Sequence, residues 1–329
     1  MTTLKAYRIF NENGKVAGRF VDMQLSELDA GDVVVKVAYS SVNFKDALAG
    51  TGAGRIIRRF PCVGGVDLAG TVVESTDARF KKGDEVLATS YDVGVAHDGG
   101  YAQYARLPAD WVVKLPKGLD LFESMALGTA GFTAALAVER MEHDGLKPGN
   151  GPVIVTGATG GVGSIAIDIL AAAGYRVVAL TGKDAESAYL TNLGAAEVMS
   201  RGSLDLAKIK PLDKSTWAGA VDNLGGDVLA WLASTMQIGG ALASIGLAAS
   251  HNLNTTVMPF ILRGVSLLGI DSVNAPMPLR EKVWKRLGSD LKPRHLKDIV
   301  TTVGFEDLPG VFEKVMNAKM RGRAAVRIS

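Results

Sequence analysis

Residues 153–167 read VIVTGATGGVGSIAI. The run Val153 to Thr156 enters a glycine turn, Gly157-Ala158-Thr159-Gly160-Gly161-Val162-Gly163. Beyond it Val162, Ile165, Ala166, Ile169 and Leu170 fall at helical spacing, which predicts a helix from Gly161 to Ala173. Strand, glycine turn and helix in that order begin a dinucleotide-binding βαβ unit. Glycines let the backbone turn tightly and approach a pyrophosphate, and the free N–H groups and dipole of the helix N-terminus hold its charge. Thr159, Gly160, Gly161, Val162 and Gly163 are therefore assigned to the cofactor. Gly163 also lets the helix pack closely on the strand.

Outward from this stretch the rhythm continues. Strands are predicted at Tyr175–Leu180, Glu197–Met199, Ala218–Asp222 and Gly240–Gly246, and helices at Ala185–Leu193 and Val228–Met236. Alternation with short connections means a parallel sheet covered on both faces, a doubly wound α/β (Rossmann) domain expected over 126–270. The end of its second strand chooses the cofactor. NAD sites usually place Asp or Glu there, on the ribose 2′-hydroxyl. Here the strand runs into Thr181-Gly182-Lys183, with no carboxylate at its end although Asp184 comes one residue later, and Arg201 follows the third strand. A hydroxyl, an ammonium and a guanidinium suit a 2′-phosphate, so NADP(H) is expected rather than NAD(H).

Before this domain lie short β runs at Val33–Tyr39, Gly70–Glu74, Gly83–Ala88, Tyr101–Leu107 and Trp111–Leu115. Strands at such spacing predict a β-rich, barrel-like domain. After it come helices at Leu279–Leu291 and Leu308–Ala318 and a strand at Arg323–Ile328. If that strand returns to the β-rich domain, the domain is discontinuous and spans 1–125 and 271–329.

Composition narrows the function. With 36 Lys+Arg against 34 Asp+Glu the net charge is +2, which argues against a dedicated nucleic-acid or anionic-membrane binder. One cysteine, Cys62, excludes an intrachain disulfide and a Cys-rich zinc lobe, and it reads as a small buried filler. His97, His143, His251 and His295 form no close metal-type pair, so no metal is expected. His97, in the loop 95–100, is also weighed as a residue of the site. No secretory signal is read at the N-terminus, and the nearest membrane-length stretch, 149–167, is interrupted by its glycines. A soluble cytoplasmic protein is expected. Arg55, Arg58 and Arg59 form the one compact basic cluster and are assigned to phosphates of a substrate.

Taken together, SSVNFKDALAGTG (40–52), FPCVGGVDLAGTVV (60–73), GDEVLATS (83–90), GGYAQYARL (99–107), LGTAGFTAALAV (127–138), the glycine turn and PFILRGVSLLGIDSV (259–273) resemble the medium-chain dehydrogenase/reductase superfamily. The resemblance covers the whole chain and is to the zinc-free, quinone-oxidoreductase-like branch. The combination of NFKDALA, RRFP, GTAGFTA and WAGAVD (217–222) looks like its acryloyl-CoA reductase group. Zinc members carry Gly-His-Glu near the position of Gly65-Val66-Asp67.

What the resemblance implies is a GroES-like domain completed by the C-terminus, a Rossmann domain between, and a cofactor cleft where they meet. It implies NADPH-dependent reduction of the conjugated C=C bond of acryloyl-CoA to propanoyl-CoA. The alternatives are an NADPH:quinone or 2-alkenal reductase and, in another class, an NADPH-holding redox sensor. Asn43, Phe44, Lys45 and Asp46 would face the nicotinamide. Phe44 stands where the group usually has Tyr, so a proton must come from elsewhere, and Lys45 and Asp46 are candidates for an ordering polar pair. Leu247, Ile261, Ser272 and Asn317 would touch the nicotinamide half. The implied partners are an enoyl-CoA thioester and a second copy of the chain, paired through the strand near Val265–Ile270.

Overall fold

The computed structural model describes residues 2–329. The chain begins with a hairpin that the sequence reading did not assign. Strands β1 (Thr3–Glu12) and β2 (Lys15–Gln24) pair antiparallel around Asn13-Gly14, both at positive φ (55° and 85°). Asn-Gly at positive φ gives the twist that a two-residue hairpin turn needs. There follow β3 (Val33–Val42), helix α1 (Phe44–Thr51), β4 (Cys62–Val63), β5 (Asp67–Ser75), β6 (Glu85–Thr89), β7 (Tyr104–Leu107), β8 (Val113–Lys114) and helix α2 (Leu121–His143). Gly128, at φ 50° and ψ −153°, breaks α2 into two helical stretches.

The next stretch alternates as expected: β9 (Val153–Thr156), α3 (Gly161–Ala172), β10 (Val177–Thr181), α4 (Ser187–Asn192), β11 (Glu197–Ser200), β12 (Trp217–Asp222), α5 (Gly226–Thr235), β13 (Met236–Ser244), α6 (Met258–Arg263) and β14 (Ser266–Gly269). The strands form one six-stranded sheet in the order β11-β10-β9-β12-β13-β14, with every pair parallel. This 3-2-1-4-5-6 order is the doubly wound Rossmann arrangement, in which ligands bind beyond the carboxyl ends of the strands near the order reversal. The chain closes with α7 (Met277–Leu287), α8 (Leu296–Ile299), β15 (Val300–Gly304), α9 (Leu308–Met316) and β16 (Arg323–Arg327). β16 lies between β15 and β3 in a seven-stranded sheet, so the chain's last strand does return to the β-rich domain.

Two compact units result. The first takes the chain up to Thr129, Val273–Gly288 and Leu296–Ser329; the second takes Ala130–Ser272 and Ser289–His295. The last segment departs from the expected boundary at 271, for a local reason. Asp168 of α3 is buried and accepts the backbone N–H groups of Arg294 and His295 at 3.2 and 2.8 Å.

The largely aliphatic core of the first unit includes an edge-to-face aromatic cluster. Tyr7 meets Phe20 at 5.1 Å and Phe312 at 5.7 Å between ring centres. Phe312 of α9 reaches α1 where Gly50 leaves room; a Cβ there would lie 2.4 Å from its ring. α2 is long and apolar enough to cross a membrane by length and composition alone, but 83% of that window is buried inside the protein. The stretch 149–167, singled out in the sequence, forms β9, the glycine turn and the start of α3 instead.

Candidate active site

The glycine turn has the shape its spacing predicts. Gly157 takes φ 58°, and Gly160 is the N-cap of α3 in extended geometry. A Cβ on Gly163 would sit 2.4 Å from the Gly157 carbonyl oxygen and 2.9 Å from the Ala158 Cα, so only glycine permits this approach of helix to turn. A Cβ on Gly160 would meet nothing closer than the Gly157 oxygen at 3.3 Å, which marks the open side of a cradle. The first N–H groups of α3 face that side without helical acceptors. Thr156 and Asp222 stitch the turn from behind. Thr156 Oγ1 donates to Asp222 Oδ1 at 2.7 Å and accepts from the Asn223 N–H at 2.9 Å. Asp222 also accepts the Gly225 N–H at 2.8 Å, and burial raises its carboxyl above the usual range. Neither Asp222 nor Asn223 stood out as a site residue in the sequence; their signal was only their place at the end of a predicted strand.

At the end of β10 the strand register brings the basic groups together. Thr181 pairs with Ser200, so Arg201 follows alongside Gly182. The guanidinium lies 3.3–3.5 Å from where a Gly182 side chain would begin, so the two are in close contact. Thr181 Oγ1 accepts the Lys183 N–H at 2.9 Å. The Arg201 side chain forms no hydrogen bond or ion pair among the described residues.

In the first unit, the start of α1 is held by a buried polar network drawn from four distant segments. Asp67 Oδ2 accepts from Ser41 Oγ (2.6 Å), Asn43 Nδ2 (2.8 Å) and the Thr129 N–H (2.9 Å), and Oδ1 accepts from Thr129 Oγ1 at 2.5 Å. Arg323 of β16 donates to Asn43 Oδ1 and Ser41 Oγ, both at 2.8 Å, and to the Val42 carbonyl at 3.0 Å. Its guanidinium lies 3.8 Å from Asp67 Oδ2. Asp46 accepts the Asn43 N–H at 2.8 Å and the Val66 N–H at 3.0 Å. Burial, with the charge of Asp67 adding to it, pushes the Asp46 carboxyl up to about 6. Gly128 is the gap through which this network closes: a Cβ there would lie 2.6–2.7 Å from Arg323, Asp67 and Ser41. The sequence reading found Asn43 and Asp46 but missed Arg323, Thr129 and the part played by Asp67.

No salt bridge or hydrogen bond joins Lys45 to Asp46, the pair the sequence suggests. Both oxygens of Asp46 face Asn43 and Val66, while the Lys45 side chain is half-buried, makes no hydrogen bond or ion pair among the described residues, and acts on Asp46 only through its charge. Phe44 beside it is 59% exposed. Leu247 and Ile261 are 66% and 71% exposed, so core packing does not account for them. Ser272 is the last residue before the chain re-enters the first unit, and Asn317 caps α9 with its amide on the Glu313 carbonyl at 2.8 Å.

The arginine cluster divides. Arg58 pairs with Asp92 and Arg59 with Asp29 and Asp98, whereas Arg55 pairs with no described residue. Both nitrogens of His97 sit on backbone carbonyls, of Asp98 (3.1 Å) and Ala30 (3.0 Å), so its ring anchors a loop. Cys62 is buried, with its sulfur on the His97 and Val63 carbonyls, and burial pushes the thiol up to about 12.

Comparison with known proteins decides the family. The chain is 52% identical over 303 residues to the Bacillus subtilis protein YhfP, named a quinone oxidoreductase, covering 92% of each chain. It is 46% identical over 318 residues to the Ruegeria pomeroyi acrylyl-CoA reductase AcuI, covering 97% of this chain and 96% of that one. The chain belongs to the medium-chain dehydrogenase/reductase superfamily. It is an oxidoreductase of the quinone-oxidoreductase-like branch. The alcohol dehydrogenase GroES-like domain model matches residues 29–117, and the zinc-binding dehydrogenase model matches 161–288. The Salmonella enterica yhdH oxidoreductase, solved in complex with NADP, superposes with a TM-score of 0.96 at 45% identity, covering 99% of this chain and all of that one. YhfP itself, solved with NAD bound, superposes at 0.97 and 48% identity over the same shares. Within the superfamily a catalytic zinc needs clustered Cys, His, Asp or Glu ligands. No group of three or more such side chains able to hold a metal occurs among the described residues.

Proposed function

We propose that this oxidoreductase reduces the conjugated C=C bond of acryloyl-CoA to propanoyl-CoA with NADPH. The observation that carries the reading is the end of β10, where Arg201 lies against Gly182 and no carboxylate stands between Thr181 and Lys183, in a chain 46% identical to an acrylyl-CoA reductase. Thr181, Lys183 and Arg201 offer a 2′-phosphate a hydroxyl and two cations, and a guanidinium matches phosphate geometry. Thr159 to Gly163 would hold the pyrophosphate against the N-terminus of α3.

Bound NADPH supplies a hydride to the β-carbon of the thioester. The acceptor is activated by its own conjugation, so the reaction needs no Lewis acid. Negative charge then grows on the thioester oxygen, where a positioned donor is worth most. Lys45 is assigned to that oxygen, and a proton from Lys45 Nζ or water completes saturation at the α-carbon. Asn43 and Asp46 are positioning residues that fix the turn bearing Phe44 and Lys45. Leu247, Ile261, Ser272 and Asn317 remain assigned to the nicotinamide half, with Phe44 as an apolar wall.

Relatedness to YhfP favours a second reading, an NADPH:quinone or 2-alkenal reductase. Purified protein assayed for NADPH oxidation on acryloyl-CoA, quinones and enones separates the two by kcat/KM. No acceleration by acryloyl-CoA over the blank would end the first reading. The cofactor assignment has its own test, sharpened by the NAD bound to YhfP. Lys183→Ala with Arg201→Ala should raise KM for NADPH about tenfold or more, as expected when charged hydrogen bonds are lost, and leave KM for NADH little changed. Equal effects on both would sink the 2′-phosphate site. We also take β14, the free edge of the six-stranded sheet, as the surface for pairing with a second copy, and the cytoplasm as the place of work.

A further inference from the structure

The first unit carries an open cavity of about 630 Å³ beyond the C-terminal end of α1. That volume lies in the ordinary range of small-molecule sites. Val16 of β2, Ile57 and Phe60 give it apolar walls, and Asn11, Gly54 and Arg55 also line it. Its shape follows from the chain path. Gly52 ends α1 in the left-handed region, at φ 71°, so close to the hairpin that a side chain there would meet the Val16 carbonyl oxygen at 2.5 Å. The chain then turns away over 53–60 and leaves space behind it.

Polarity in the cavity is one-sided. Arg55 is the one charged residue among those lining it. The Asn11 carboxamide oxygen accepts the Gly14 N–H at 3.0 Å, which leaves its amide nitrogen as a donor. Arg58 and Arg59 are neutralised by Asp92, Asp29 and Asp98, so of the three arginines only Arg55 is open to an anion. An unpaired guanidinium and an amide donor beside an aromatic and two aliphatic walls suit a phosphorylated purine.

We propose that this cavity binds the nucleotide end of the CoA thioester, its phosphates on Arg55 and Asn11 and its adenine against Phe60 and Ile57. The proposal deepens the acryloyl-CoA reading and rests on it. Distance supports it: α1 has eight residues and rises about 12 Å, so the cavity opens about that far from Phe44 and Lys45. The pantetheine arm of CoA is longer than this, and it can join the two places.

The test compares acryloyl-CoA with acryloyl-pantetheine, which has the same reacting bond and no phosphates. Arg55→Ala should raise KM for acryloyl-CoA about tenfold, with kcat little changed and with no effect on the pantetheine thioester. Arg55→Lys should recover part of the loss. Adenosine 3′,5′-bisphosphate should compete with acryloyl-CoA but not with NADPH, and its calorimetric binding should weaken in Arg55→Ala. An unchanged KM for acryloyl-CoA, or an equal rise for both thioesters, would overturn the site. Competition by inorganic phosphate as effective as that of the bisphosphate would overturn its nucleotide character. Bisphosphate bound through Arg55 by a protein that does not reduce acryloyl-CoA would uphold the site and remove the reaction.

Discussion

The turn at 157–163, proposed to hold the cofactor pyrophosphate, is shaped by its backbone, whereas the cluster around Asp67 works through side chains. The turn is one continuous stretch, and its decisive residues are glycines that must have no side chain. The cluster gathers Ser41, Asn43, Asp46, Asp67, Thr129 and Arg323 from four places in the chain, and each would strand a buried partner if removed. One plan is local and limited by space; the other is long-range and limited by hydrogen-bond satisfaction. The two should therefore fail in different ways.

The sharpest break is Arg323→Ala. It leaves Asp67 buried without its cation and Asn43 without a donor, and it should cost about 3–5 kcal/mol in denaturant unfolding. A loss within about 0.5 kcal/mol, the range of ordinary surface changes, would mean the network is not held by side chains at all. Next comes Asp46→Asn. The Asp46 carboxyl stays protonated up to about pH 6 in the fold, against about 4 in the unfolded chain. Between those values the folded state holds the extra proton, so stability falls as pH rises, by on the order of 3 kcal/mol. The Asn variant should flatten that slope in unfolding curves taken at pH 4, 5 and 6. A slope identical to wild type would place the titrating group elsewhere. The smallest stability effect is expected at the turn. Gly163→Val should cost about 1–3 kcal/mol from overpacking against Gly157 and Ala158 while abolishing NADPH binding. If instead it unfolded the protein and spared binding, the contrast between the two plans would fail.

This contrast also explains what the sequence made legible. The six-stranded sheet was readable because each βα step is local and periodic, and the register of Thr181 with Ser200 then carried Arg201 to its predicted neighbourhood. The first unit was readable only in outline. Its hairpin was missed although Asn13-Gly14 is a strong local turn signal, because the flanking strands β1 and β2 carry polar residues that blur alternation. α2 was missed because Gly128 reads as a helix breaker, and only its left-handed backbone and the crowding of Arg323, Asp67 and Ser41 around it explain why a glycine belongs there. Asn43 and Asp46 were found as neighbours, but their partners lie up to 280 residues away, beyond any spacing rule. The adjacency of Lys45 and Asp46 suggested a pair. The helix instead turns Asp46 inward, onto its own cap and the Val66 amide.

The fate of Cys62 has a chemical consequence. Thiolates add readily to conjugated carbonyls, and a thiol with its pKa near 12 supplies almost no thiolate at neutral pH. The chain's only sulfhydryl is thus both shielded and poorly nucleophilic, as the proposed reduction of a conjugated thioester would require if that electrophile is not to alkylate the protein.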